Sequence, residues 1–192
     1  MIDRRAVGAI LLAAGRSRRF GPEDKLLSPL EGLPVAVHAA RGVVELAPSR
    51  RIAICPDRDG ALARLLAGEG FEIVANPHPE RGLSESLRLG IGALSPGPAQ
   101  AALLCLADMP FVRADHLAAL LARCDPDRAP VVASARDGVA MPPALFARSR
   151  FAALERASGD QGGRALLESA VLVPAPPGQL DDIDRPADLP PG

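Results

Sequence analysis

The sequence predicts an α/β fold built on a mostly parallel central sheet with helices on its faces. Two observations carry this. Short apolar runs of strand length alternate along the chain with longer segments of helical pattern. The runs AILLA, AALLCLA and VVASA are apolar at nearly every position, as strands buried on both faces must be.

Taken in order, the first strand is expected at residues 7–13, and it ends in LAAG. A helix at 33–46 and a strand at 51–55 follow. The helix expected at 60–67 has Asp57 or Asp59 as a capping residue and Gly68 and Gly70 at its end. A strand at 71–75 leads to a helix at 84–94, which Ser84 opens. The strand at 101–106 is followed by a helix at 114–123, with Asp115 near its start. A strand at 131–135, helices at 143–154 and 162–169, and a strand at 171–173 complete the series. The stretch PAPPG at 174–178 reads as a stiff surface connection, and residues 190–192 as a fraying tail.

The chain has 192 residues, enough to bury a core, and is expected to form one domain over 1–192. Its 22 Lys and Arg nearly balance its 23 Asp and Glu, so net charge favours neither nucleic acid nor an anionic membrane as partner. Any anion site has to be local. Cys55, Cys105 and Cys124 are widely spaced in or beside apolar segments, the pattern of reduced, packed thiols. No run approaches the roughly 18 apolar residues of a membrane span, so the expectation is a cytoplasmic protein.

The loop after the first strand is the chemically informative stretch. Ala13, Ala14 and Gly15 are small enough for a ligand to approach the backbone, whose N–H groups can hold phosphate oxygens. Arg16, Arg18, Arg19 and Lys25 then concentrate positive charge at the carboxyl edge of the sheet, where open α/β proteins bind ligands. The loop contains neither a Walker A sequence nor G-x-G-x-x-G.

Asp108 closes the strand AALLCLA at that same edge, where it could hold a hard divalent cation against phosphates, and Pro110 would fix the turn presenting it. Asp181, Asp182 and Asp184 form a second acidic group, and Asp108 with Asp184 would suffice for magnesium if the fold joined them. The segment from Asn76 through Gly82 to Ser84 and Ser86 follows a strand and opens a helix, a place to bind phosphate, base or sugar. The polar turn at 159–164 has no role legible from composition. His38, His78 and His116 have no partners at metal spacing, and no G-x-S-x-G elbow suggests acyl transfer.

On these residues the chain resembles the MobA-like NTP-transferase superfamily. The segments LLAAGRSRRFG…DKLL, NPHPERGLSESLRLGI, LLCLADMPFV, GDQGGRALL and DIDRPADL occur in family order over residues 9–189 and look most like the molybdenum cofactor cytidylyltransferase group. The resemblance implies a Rossmann-like three-layer α/β/α nucleotidyltransferase fold. It implies that Leu12, Ala13 and Ala14 line the base and ribose, that Gly15, Arg16, Ser17, Arg18 and Arg19 wrap the triphosphate, and that Lys25 contacts it. Lys25, Arg19 and Asp108 would be catalytic, and Asp108 would bind Mg2+ with help from Asp184. Asn76, Gly82, Ser84 and Ser86 would complete the nucleotide pocket. In the family LAAG goes with cytidine and LAGG with guanine nucleotides, so Ala14 favours CTP.

The sequence departs from the family pattern at Arg185, where Thr is common, at Glu85, and in the run Ala140, Met141, Pro142, Pro143. The expected activity is transfer of CMP from CTP to a phosphorylated acceptor, molybdopterin first, with pyrophosphate leaving. GTP as donor or a sugar or alditol phosphate as acceptor are alternatives. So is a non-catalytic chaperone that hands a nucleotide or cofactor to a molybdoenzyme.

Overall fold

The computed structural model describes residues 1–15, 20, 24–157 and 165–189. The strands are β1 (Val7–Leu12), β2 (Pro29–Leu30), β3 (Leu33–Pro34), β4 (Arg50–Cys55), β5 (Glu72–Ala75), β6 (Ala101–Leu106), β7 (Val131–Arg136), β8 (Val139–Ala147) and β9 (Val171–Pro174). Among the described residues the helices are α1 (Val35–Leu46), α2 (Ala61–Gly68), α3 (Leu83–Leu94), α4 (Ala114–Arg123) and α5 (Phe151–Arg156). The main sheet runs β5-β4-β1-β6-β8-β7-β9, and β2 and β3 form a small separate ribbon. Within the main sheet, among the described residues, only β8 runs against its neighbours, pairing antiparallel with both β6 and β7.

The period-two geometry of a strand divides β1 between two cores. Val7, Ala9 and Leu11 pack with side chains of α1, α2 and α4 on one face. Ile10 and Leu12 pack with α3 and α5 on the other. Both sets are buried, which is why AILLA is continuously apolar. The fold is therefore three-layered with a mostly parallel sheet, as the alternation of elements implied. Among the described residues no helix is long and apolar enough to cross a membrane.

One element is corrected. The helix expected at 143–154 is the second half of β8, a short 3-10 turn at Arg148–Arg150, and α5. The pair Pro142–Pro143, joined by a cis peptide, supplies no N–H for a helix. The run instead completes a hairpin with β7 through Asp137 and Gly138, both at positive φ as a type I′ turn requires. Opposite the two prolines β7 shifts register between Ala133 and Ser134, and the Ser134 hydroxyl donates to the Pro143 carbonyl at 2.8 Å. Asp-Gly between two apolar runs was the local signal for this hairpin. Of the helix expected at 162–169, residues 165–169 are described and are mostly turn.

The strand order places the site. The chain leaves β1 toward β4 on one side, whereas β6 leads toward β7 and β8 on the other. The carboxyl ends of β1 and β6 thus flank the crevice where the sheet's connections diverge, the usual place for a ligand in open α/β folds.

Candidate nucleotide and phosphate site

Three residues far apart in sequence meet at that crevice. Lys25 Nζ donates to Asp108 Oδ2 at 2.6 Å and to Asp184 Oδ1 at 2.9 Å. The Lys25 side chain is 9% exposed, against 22% for Asp108 and 39% for Asp184, so the ammonium is enclosed and the carboxylates open progressively to solvent. Burial alone would lower the Lys25 pKa. The charge of Asp108, then the hydrogen bonds to Asp108 and Asp184, outweigh it and hold the pKa above its ordinary value. Lys25 is accordingly a fixed cation.

Local sequence explains how each member is held. Asp24 accepts the Leu26 amide in a side-chain turn at 3.0 Å. Leu26 is buried, and its carbonyl accepts the Ala36 amide in the first turn of α1 at 3.0 Å. The leucines after the lysine thereby draw Lys25 against the core. Asp108 lies two residues beyond β6, and the Ala107 amide still bonds to the Leu12 carbonyl at 3.0 Å, which ties its loop to β1. Asp184 arrives from the far side of the sheet. After β9 the chain turns at Gly178, crosses back and buries Leu180 and Ile183, and the Ile183 amide donates to the Asp108 carbonyl at 2.8 Å.

Two further contacts hold this return, and sequence reasoning missed both. Arg136 at the end of β7 pairs with Asp181 at 2.6 Å. The Asp188 carboxylate accepts the Asp184 amide at 2.9 Å and the Arg185 amide at 2.7 Å, capping a 3-10 turn at Pro186–Asp188. The available signal was Pro186 at the first position of the turn with an acidic residue, Asp188, at the third. Beside the trio, Asp182 has its carboxyl pushed up, first by desolvation and then by the charges of Asp108 and Asp184.

The other expected residues distribute as follows. Leu12 ends β1, Ala13 and Ala14 are buried just beyond it, and Gly15 is exposed. Arg16, Ser17, Arg18 and Arg19 lie outside the described residues, as does the turn at 159–164. Asn76 is fully buried beyond β5. Its amide donates to Ser86 Oγ at 2.8 Å and its carbonyl oxygen accepts the His78 amide at 2.9 Å, which staples the 76–86 loop to the start of α3. Gly82 leads into α3 at a φ of 84°, where a side chain would be strained, and Ser84 and Ser86 are buried in the first turn. Glu85 is held by Arg88 at 2.7 Å.

Asp108 and Asp184 are hard oxygen donors from two separate loops, and their chemistry fits a divalent cation that keeps several non-protein ligands. Among the described residues no group of three His, Cys, Asp or Glu forms a closed metal site. A cleft of about 900 Å³ runs between the first turns of α3, the end of β6 and the start of β8. Leu83, Leu106, Val139, Met141 and Leu172 are among its lining residues.

The remaining titratable groups do not suggest nucleophiles. Cys55, Cys105 and Cys124 are free and buried, and burial, then Asp57 and Asp24, pushes the Cys55 thiol up to about 12. His116 is buried against Ser134 at 2.8 Å; because that hydroxyl gives its proton to Pro143, Nε2 carries the hydrogen.

The chain is similar in sequence and in fold to known proteins. The chain is 28% identical over 190 residues to the purine catabolism protein PucB of Bacillus subtilis, covering 92% of this chain and 91% of that one. It is 32% identical over 127 residues to the bifunctional protein GlmU of Sphingopyxis alaskensis, covering 66% of this chain but only 28% of GlmU. It is 36% identical over 86 residues to the molybdenum cofactor guanylyltransferase of Cupriavidus metallidurans, covering 35% of this chain and 42% of that one. Among solved structures, a Methanothermobacter nucleotidyl transferase (Mth528) superposes with a TM-score of 0.80 at 22% identity, over 95% of this chain and 93% of that one. A manganese complex of Rv0371c from Mycobacterium tuberculosis superposes with a TM-score of 0.70 at 21% identity, over 88% and 89%. Residues 9–175 match the family described as the MobA-like NTP transferase domain, and the chain belongs to that family.

Proposed function

We propose that the protein transfers CMP from CTP to a phosphorylated acceptor, molybdopterin in the first instance. The observation that carries this reading is the enclosed Lys25 ammonium flanked by Asp108 and Asp184 at the carboxyl edge of the sheet. An acceptor phosphate oxygen attacks the α-phosphorus of CTP, the bond to the β-phosphate bridging oxygen breaks, and pyrophosphate leaves. Such chemistry asks a protein mainly for positioning and charge neutralisation. Lys25 supplies a permanent positive charge to the polyphosphate, and the exposed Gly15 backbone lets phosphates approach the end of β1. Arg16, Ser17 and Arg19 are proposed to extend that cradle.

Asp108 and Asp184 are the residues that would hold Mg2+ or Mn2+; when bound, the ion would neutralise charge on the phosphate oxygens. The manganese complex of Rv0371c supports a divalent ion at a site of this fold. Ala13 and Ala14 would abut the nucleotide, while Asn76, by stapling the 76–86 loop, would keep Gly82, Ser84 and Ser86 facing it. The apolar cleft beside Leu106 would receive the body of the acceptor.

GTP is the second reading for the donor, favoured by the guanylyltransferase name of the Cupriavidus relative. Incubation with Mg2+, molybdopterin and each nucleoside triphosphate in turn, followed by mass detection of the dinucleotide, separates the two. The expected product carries CMP. A product carrying GMP corrects the base, and absence of product with every nucleotide rejects molybdopterin as the acceptor.

A further inference from the structure

We infer that Lys25 sets the form in which a divalent cation enters the site, admitting it as a complex with a polyphosphate and resisting the free ion. The inference rests on the nucleotidyltransferase reading of this site and adds its order of assembly. Nζ already lies 2.6 Å from Asp108 Oδ2 and 2.9 Å from Asp184 Oδ1. A divalent ion bound to those same two oxygens at about 2.0–2.6 Å would share the space Nζ fills. Two cations cannot share one pair of oxygens closely unless further anions separate them.

The trio's own charge leads the same way. The Lys25 ammonium offsets part of the negative charge that Asp108 and Asp184 would otherwise offer a metal. Nor does Lys25 step aside into solvent readily, because its side chain is 9% exposed and its backbone is fixed by the Asp24 turn and the buried Leu26. An incoming polyphosphate removes both obstacles. It gives Nζ new acceptors, drawing the ammonium off the carboxylates, and it brings oxygens that fill the cation's shell. That second contribution is needed, since among the described residues no third His, Cys, Asp or Glu joins the pair. Lys25 is thus a specificity-determining residue that reads the metal–polyphosphate complex.

The test is Mn2+ binding to the full chain, read as free Mn2+ by electron paramagnetic resonance, which does not depend on turnover. Wild-type protein is expected to bind Mn2+ about tenfold or more tightly when CTP with a methylene-bridged α,β-phosphate, or inorganic tripolyphosphate, is present than when it is absent, after correction for Mn2+ bound by the polyphosphate itself. Lys25→Met and Lys25→Gln are expected to bind the free ion about tenfold more tightly than wild type, a coupling within the usual allosteric range. Adding Asp108→Asn to either variant should remove that gain. Melting curves confirm that each variant is folded, and Gln keeps a donor for the carboxylates where Met keeps none. The inference is overturned if both Lys25 variants bind free Mn2+ no more tightly than wild type, or if wild type binds the free ion as tightly as it does with polyphosphate. Failure of every nucleotide to release pyrophosphate would instead reject the transferase reading, leaving the Mn2+ comparison to stand or fall separately.

Discussion

Removing the Asp188 carboxylate is the sharpest way to ask whether the return of the chain after β9 exists to deliver Asp184. Asp188 accepts the Asp184 and Arg185 amides at 2.9 and 2.7 Å, as a capping side chain does at the start of a helix. Losing such a cap costs about 1 kcal/mol. The segment keeps its other anchors, the Arg136–Asp181 pair and the Ile183 amide on the Asp108 carbonyl, so Asp188→Ala should loosen the run without releasing it. At 1.36 kcal/mol per factor of ten, a loss of about 1 kcal/mol lowers the equilibrium constant for seating Asp184 on Lys25 by about fivefold. The turnover number for pyrophosphate release should fall measurably, by at most about that factor, while Tm falls by no more than about 2–4 °C. Asp188→Asn keeps an acceptor oxygen and should recover most of the rate. A wild-type rate for Asp188→Ala would refute the reasoning, and so would an Asn variant as slow as the Ala variant.

Other expectations follow from single contacts. In α1, a Cβ on Gly42 would lie 2.5 Å from the Val112 carbonyl oxygen, a backbone atom with little room to yield; Gly42→Ala should cost about 1–3 kcal/mol, read from the urea midpoint. Burial, opposed only in part by Asp115, lowers the His116 pKa from its ordinary 6.5. Below pH 6.5 the unfolded chain therefore gains a proton the folded one refuses, so this group's stability is present above that pH and is lost as pH falls toward its folded value, at up to about 1.4 kcal/mol per pH unit. His116→Gln should flatten that part of the stability–pH curve. Ala14→Gly, which turns LAAG into LAGG, should shift the nucleotide preference from CTP toward GTP, measured as the ratio of kcat/KM values; an unchanged ratio would remove Ala14 from the specificity account.

Much of the site could be read from local pattern. A buried strand ending in small residues and cations marks the β1 loop, and a carboxylate two residues beyond β6 marks Asp108. What joins them to Asp184 could not be read, because their contacts span 83 and 159 residues of sequence. The decisive features lie inside an acidic run, where Leu180 and Ile183 bury and pull the chain back across the sheet. Asp188 looked like one more solvated carboxylate until its two amide partners were in view. β8 was hidden for a different reason. Its residues from Ala144 to Ala147 are apolar on both faces and suit a buried strand or a helix alike, so pairing with β6 and β7 decides the outcome. The Asp137–Gly138 turn carried the discriminating information.

Pyrophosphate release from CTP by Asp108→Asn protein, in the presence of Mg2+ and acceptor, is the most direct test of the role of the trio. Removing one charge-stabilising group of this kind typically costs on the order of 3 kcal/mol of barrier, so the rate should fall about a hundredfold while CTP is still bound. A variant that turns over at the wild-type rate would contradict the claim that the Lys25, Asp108 and Asp184 trio is the centre of transfer.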